Sequence, residues 1–255
     1  MIRKEDIIAD MHTHTLASKH AYSTLKENLD IARKNGIKYI AITDHFYNDG
    51  TDIEKKNEIG RICYVENENK RLKNIEIIGG AEFNIGQKIY SWKKLSNLRW
   101  RPIGVHSWFY NIPNGTLNEL YDLYVRASEK HNAFVHIERE LHKIENKAHP
   151  ELDINIKKYL EKIVILAKEK NIFLEVNESS ILTNECNGID RMKYWLSIAK
   201  ENGNLIYLVT DAHFCEAVGD FTNVINLLNE INYPKDLILN INENLLKEEI
   251  LIYKK

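Results

Sequence analysis

The sequence predicts an α/β fold, a barrel of parallel strands each followed by a helix. Three observations carry this: strand-like and helix-like patterns alternate along all 255 residues, seven strand candidates fall between helical stretches, and no Pro/Gly/Ser-rich linker divides the chain. A chain this long with 44% apolar residues buries a substantial core, and the whole of 1–255 reads as one domain.

The elements follow in order. Residues 7–11 form the first strand candidate. A helix is expected from Thr24 to Asn35, with Ser23 or Thr24 as its cap and Gly36 just past its end. Leu25, Leu29, Ile31 and Ala32 give that helix one apolar stripe. Residues 37–43 read as a buried strand, 52–72 as a polar helix and 75–82 as a strand. Residues 83–101 carry no clear period. Residues 102–106 form the next strand, and a helix from 117 to 130 follows Thr116, a good capping residue. Then come a strand at 133–137, a charged loop to about 153, a helix at 154–170 and a strand at 172–176. A helix at 190–202, a strand at 205–210, a helix at 221–231 and a terminal amphipathic helix at 242–250 complete the chain.

Composition narrows the function. The formal net charge is −2 and no block of Lys or Arg occurs, so nothing recommends a long nucleic acid as partner. No stretch approaches the ~18 consecutive apolar residues that span a bilayer, and the N-terminus lacks a secretory pattern. A cytoplasmic location without membrane attachment is the expectation, and homo-oligomerisation stays open. Cys63, Cys186 and Cys215 form no CxxC pair and read as packing residues in a reducing interior.

The ten histidines are not scattered. His12 and His14 stand two apart where an apolar strand gives way to a polar loop, a spacing that sends both imidazoles to one side. Asp44-His45, Glu82, His106, His136 and Asp211-Ala212-His213 each follow an apolar run. Metal-ligand residue types therefore recur at the C-terminal ends of successive strands, where α/β sheets build their sites. A multi-metal centre is expected there.

Several of these segments resemble the PHP (polymerase and histidinol phosphatase) family, most closely its YcdX-like phosphatase branch. They are Asp10-Met11-His12-Thr13-His14-Thr15, Ser18-Lys19-His20-Ala21-Tyr22-Ser23-Thr24-Leu25, Ile42-Thr43-Asp44-His45, Gly80-Ala81-Glu82-Phe83-Asn84-Ile85, Leu174-Glu175-Val176-Asn177-Glu178-Ser179-Ser180 and Thr210-Asp211-Ala212-His213. The likeness spans nearly the whole length. It implies a distorted seven-stranded β/α, TIM-like barrel holding three divalent ions (Zn, Mn or Fe) at the C-terminal mouth. Carried over by position, His12, His14, Glu82 and Asp211 would hold the first ion. Glu82 would bridge to a second, also held by His106 and His136, and His20, His45 and His213 would hold the third. One departure concerns the fifth strand, where the family has His-Pro and Ile137 follows His136 here; a His149-Pro150 pair lies downstream in charged loop. His136 is preferred because it ends an apolar strand. His131 and His142 are read as non-ligands, His131 as a surface residue at a helix C-terminus.

Such a centre suits hydrolysis of a small phosphomonoester. Three divalent ions against two carboxylates keep it positive, able to draw in a phosphate dianion and stabilise charge on its oxygens. Nine ligands over three ions leave open coordination positions, and a metal-bound hydroxide would attack phosphorus without a nucleophilic serine or cysteine. Asp44, His45, Glu82 and Asp211 are the residues expected at the reaction, with Asp44 either orienting an imidazole, relaying a proton or capping its loop. Glu175 and Asn177 face the mouth as supporting or substrate contacts. Arg139, Lys19 and Arg101 are candidates to grip phosphate, and Trp92, Trp100 and Trp108 either wall a pocket or pack the rim. Histidinol phosphate and a DNA 3′ end are alternative substrates within the family, the latter disfavoured by the charge. An amidohydrolase also opens with HxH, but His20, Asp44-His45 and Asp211-x-His213 count against it. A metal-holding domain without turnover has only the missing proline in its favour.

Overall fold

The computed structural model describes residues 1–46, 64–87, 95, 98–106, 116–139, 141, 154–184 and 188–251. Its strands are β1 (Ala9–Thr13), β2 (Tyr39–Ile42), β3 (Glu76–Gly79), β4 (Phe83–Asn84), β5 (Pro102–Gly104), β6 (Ala133–Phe134), β7 (Phe173–Asn177) and β8 (Ile206–Val209). Every pairing between them is parallel, in a three-stranded sheet ordered β1-β2-β3 and a five-stranded sheet ordered β4-β5-β6-β7-β8. The expected continuous seven-stranded barrel is thus seen as two sheets. The segment expected as one strand over 75–82 breaks after Gly79, because Gly80 bridges to Trp100 and Glu82 bridges to His45 before β4 begins. Another parallel bridge, Thr13 to Ala212, joins the outer edges β1 and β8. Gly80 is required at its seam: a Cβ there would stand 2.7 Å from the Trp100 carbonyl oxygen.

The helices are α1 (Leu25–Lys34), α2 (Leu117–Ala127), α3 (Ile154–Glu169), α4 (Glu178–Thr183), α5 (Gly188–Asn202), α6 (Thr222–Glu230) and α7 (Glu243–Leu246), the last running into a π turn at Lys247–Leu251. Local chemistry explains their starts. The Thr24 side chain accepts from the Glu27 amide and Glu27 reaches back to the Thr24 amide, and Thr116 with Glu119 repeats this reciprocal cap. Gly36 takes φ +79° after α1, where a side chain would be strained. Among the described residues no helix is long and apolar enough to cross a membrane. Of the polar helix expected over 52–72, residues 52–63 lie outside the described residues and Glu66–Arg71 is a 3-10 helix. The loop at 140 and 142–153 lies outside them too, as do Cys63 and Cys186. Cys215 is buried.

Strand alternation sorts the core into two layers. Ile40, Ile77, Leu174 and Leu208 pack outward against helical residues such as Leu160, Ile163, Trp195 and Leu228. Tyr39, Ala41, Ile78, Phe173, Tyr207 and Val209 share an inner cluster with Ala9, Met11 and Trp100. Above this apolar floor the inner positions turn polar: Glu175 and Asn177 follow Phe173, and Asp211 follows Val209. Trp100 therefore belongs to the interior and not to a rim or pocket wall. Its indole lies edge-on to Tyr207 at 4.9 Å and donates to the Met11 carbonyl at 2.8 Å. Trp92 and Trp108 lie outside the described residues.

The first strand departs from simple alternation. Ala9 and Met11 face the inner cluster, yet His12 and His14 also face inward. The register explains this: Asp10 pairs with Ile40 and Thr13 with Ile42, three steps against two. The extra residue of this bulge changes the parity and re-aims His12 and His14. The strand itself runs Ala9–Thr13, starting and ending two residues later than expected. Asp10, turned outward, accepts from the Thr210 hydroxyl at 2.5 Å and the Gly219 amide at 3.1 Å, tying β1 to the chain after β8.

His131 corrects an expectation. It is buried, not on the surface: its ring meets Phe83 edge-on at 5.0 Å and its Nδ1 lies 3.1 Å from the Arg101 carbonyl oxygen. Arg101, just before β5, directs its guanidinium to the carbonyls of Lys130 and Leu98, at the end of the sheet away from the clustered histidines. It is placed to hold backbone and not phosphate.

Candidate metal centre

Seven imidazoles and two carboxylates converge where the C-terminal ends of the strands meet. His12 Nε2 lies 3.0 Å from His14 Nε2, 3.3 Å from Glu82 Oε2 and 3.7 Å from Asp211 Oδ1. His14 Nε2 lies 3.6 Å from Glu82 Oε2 and 3.1 Å from Asp211 Oδ1. Ligand atoms placed tetrahedrally at 2.0–2.1 Å from one ion are about 3.3 Å apart, so these separations are those of a first coordination shell. The other Glu82 oxygen, Oε1, lies 3.1 Å from His106 Nε2 and 3.6 Å from His136 Nε2. His45 Nδ1 is 3.0 Å from Glu82 Oε2, and the His20 ring stands 4.9 Å from that of His45 and 4.7 Å from that of His213.

The charges fit a cation. Glu82 is buried and neither of its oxygens accepts a hydrogen bond among the described residues. Burial pushes its pKa up, but the imidazoles of His45, His106 and His12 more than reverse this and hold it well below the usual range. Asp211 is depressed likewise, against burial, by His12 and His14. Burial would lower His12, but Glu82, Glu175 and Asp211 raise it well above its ordinary value. A pocket that holds a proton against burial in this way is one a divalent ion can take over. Burial lowers His14 to about 3 and also lowers His20 and His106, leaving these rings neutral as ligation requires.

Supporting residues aim the ligands. The Ser18 hydroxyl donates to Asp44 at 2.7 Å, so its oxygen accepts from His14 Nδ1 at 2.9 Å and leaves Nε2 facing the cluster. Both Asp44 oxygens are engaged, Oδ1 also by the Thr15 amide and Oδ2 by the Thr15 hydroxyl, each at 2.7 Å. Asp44 thus binds the loop after β1 and reaches His14 through Ser18. Asn28 of α1 donates to the His14 carbonyl at 2.8 Å. His213 Nδ1 lies 2.9 Å from the Asp211 carbonyl oxygen, which likewise frees its Nε2. Glu175 accepts from His12 Nδ1 at 2.8 Å and lies 3.0 Å from His136 Nδ1. Asn177 is fully buried, its amide donating to Glu175 and Asp211. That position suits holding the cluster and not touching a substrate.

Two ligand-type residues have left-handed backbones, His136 at φ +29° and Asp211 at φ +54°. Strained conformations of this kind cost about 1–3 kcal/mol and concentrate at functional sites. A proline at 137 would push residue 136 toward extended conformations, so Ile137 suits the geometry seen. His142 and His149 lie outside the described residues.

The mouth is a cavity of about 230 Å³ lined by His20, His45, Glu82, His106, His136, Asp211 and His213 together with Val105, Ser179 and Arg139. The Arg139 guanidinium reaches to 3.9 Å from Asp211 Oδ2. Lys19, exposed at φ +61°, is not among the lining residues. The sequence pointed to all nine clustered side chains; Ser18 stands in a resembling segment without an assigned role and Tyr207 was not singled out, and the parts of both rest on contacts made only after folding.

The model of the PHP domain family matches residues 10–250. The chain belongs to the PHP domain family. A relative from Clostridium novyi, named "Probable phosphatase", is 28% identical over 97% of this PHP domain chain and 94% of its own. Among solved structures, histidinol phosphate phosphatase from Lactococcus lactis, complexed with zinc, L-histidinol and phosphate, superposes with a TM-score of 0.59 at 18% identity, covering 89% of this chain and 94% of that one. A chain of an archaeal ribonuclease P with mature tRNA reaches a TM-score of 0.58 at 12% identity, covering 97% and 93%. These two likenesses establish the fold, and the site must carry the function.

Proposed function

We propose that this chain is a metal-dependent phosphatase that hydrolyses a small phosphomonoester at a centre of three divalent ions. His12, His14, Glu82 and Asp211 would hold the first, Glu82 with His106 and His136 the second, and His20, His45 and His213 the third. The observation that carries this is the ligand-like spacing around Glu82, whose two buried oxygens face imidazoles on both sides. Mixed imidazole and carboxylate donors accept zinc, manganese or iron; zinc is the ion named with the Lactococcus lactis enzyme. We read the two sheets as one barrel wall and residues 1–255 as one domain.

When bound, such ions stabilise charge on phosphate oxygens and lower the pKa of a water, which makes a nucleophile available without a serine or cysteine. The chain's own residues do the rest. Asp44 and Ser18 hold His14 in its ligating tautomer. Arg139, which lines the mouth, would pair with a phosphate oxygen. The 230 Å³ cavity suits a small ester, and the net charge of −2 does not favour a polynucleotide.

The test uses purified full-length chain. Elemental analysis should find about three divalent ions per chain. With Mn²⁺ or Zn²⁺ present it should hydrolyse p-nitrophenyl phosphate and at least one member of a phosphomonoester panel that includes histidinol phosphate, and His12→Ala should abolish turnover. Metal-free protein, inactive on every phosphate ester with every ion, would overturn the proposal.

A further inference from the structure

Glu175 lies outside the nine proposed ligands, yet it touches two of them. Its Oε2 accepts from His12 Nδ1 at 2.8 Å and from the Tyr207 hydroxyl at 3.0 Å. Its Oε1 faces His136 Nδ1 at 3.0 Å and accepts from the Asn177 amide at 2.9 Å. An ionised carboxylate offers about four lone-pair sites, and these four groups occupy them all. The carboxylate is buried, and its surroundings are these donors. Each imidazole presents Nδ1 to Glu175 and Nε2 to Glu82, and the carboxylate favours the tautomer with Nδ1 protonated, although the Asn177 amide also lies 3.3 Å from His136 Nδ1. His12 stands in the proposed first ion site and His136 in the second.

We propose that Glu175 is a positioning residue shared by two ion sites, fixing one ligand of each and thereby linking their affinities. This rests on the phosphatase reading for the identity of the two sites, but not on turnover. Tyr207 completes the device from below: its ring packs against Trp100 in the apolar floor, so its hydroxyl holds Oε2 from a rigid base. Loss of a carboxylate behind a metal-bound histidine typically costs 10–100-fold in affinity. Here one substitution should act on two ions.

The two obvious variants should act differently. Glu175→Gln keeps the shape but offers one oxygen and one NH₂, and the NH₂ opposes an Nδ1 proton. One ring keeps its partner and the other must change tautomer, so the two affinities should separate. Glu175→Ala removes both acceptors and should weaken both ions together. Chelator-stripped full-length protein is titrated with Co²⁺ alone, following visible absorption and heat, with circular dichroism as the check on folding. Expected is a 10–100-fold loss at one site for Glu175→Gln, and at two sites for Glu175→Ala, with Glu175→Gln melting as the stripped parent does. Glu175→Gln binding every ion within twofold of the parent overturns the inference, as does equal weakening of all ions in both variants. If the parent itself binds no Co²⁺, it is the phosphatase reading that fails.

Discussion

A single hydroxyl illustrates how much of the site depends on groups that never meet an ion. Ser18 accepts from His14 Nδ1 and from the His45 amide at 3.1 Å while donating to Asp44. Ser18→Ala removes all three at once. It should lower affinity for Co²⁺ by 10–100-fold in chelator competition, and unchanged affinity would mean that His14 is oriented by packing alone. His131 gives a residue-scale prediction of another kind. Burial depresses its pKa from near 6.5 to about 3. Between those values the unfolded chain takes up a proton that the folded chain refuses. His131 therefore costs nothing above pH 6.5 and destabilises progressively as pH falls below it, by about 1.4 kcal/mol per pH unit. His131→Gln should flatten the acid limb of urea midpoint against pH; an unaltered limb would show that the ring is protonated in the fold.

At the scale of elements, what the sequence announced and what it withheld divide by range. The caps at Thr24 and Thr116 are local chemistry and fall where expected. Eight of the nine clustered residues could be picked out because they follow apolar runs, and strand ends converge in parallel α/β folds; His20, in the loop after β1, was legible only through the resemblance to the PHP family. The bulge in β1 could not be, since it exists only relative to the register of β2. Nor could α4, whose cap Asn177 is still the last residue of β7. His131 was misplaced because a helix terminus suggests solvent, whereas β4 supplies Phe83 to cover it. The seam at Gly80 is likewise tertiary. Gly80→Ala would force a Cβ to 2.7 Å from the Trp100 oxygen and 3.2 Å from its Cβ, with a cost of about 1–3 kcal/mol. Gly188→Ala, with nothing within 4 Å in α5, is the matched control and should be neutral or stabilising. Equal melting shifts for the two would show that the seam tolerates a side chain.

For the whole molecule, the interior changes character along the strands, from an apolar floor of Met11, Trp100, Phe173 and Tyr207 to a roof of imidazoles and the carboxylates of Glu82, Glu175 and Asp211. A purely apolar centre would stabilise unaided, whereas this one gathers charge that a bound cation would balance. Ions that bind only the folded chain add about 2.7 kcal/mol each at a hundred times their Kd. Three of them would contribute roughly 8 kcal/mol, comparable with the entire stability of about 5–15 kcal/mol usual for a domain. Stripping with a chelator at pH 7.5 should therefore lower the melting temperature by roughly 15–30 °C. Acid should narrow that gap, and the sign follows from His12. In the stripped protein Glu82, Glu175 and Asp211 hold its pKa above the ordinary value, so protonation at lower pH steadies the empty site and must be undone before an ion enters. Melting curves of loaded and stripped protein should approach one another from pH 7.5 to 5. Curves that coincide at pH 7.5 would mean that the buried cluster balances its own charge, and that no cation belongs there.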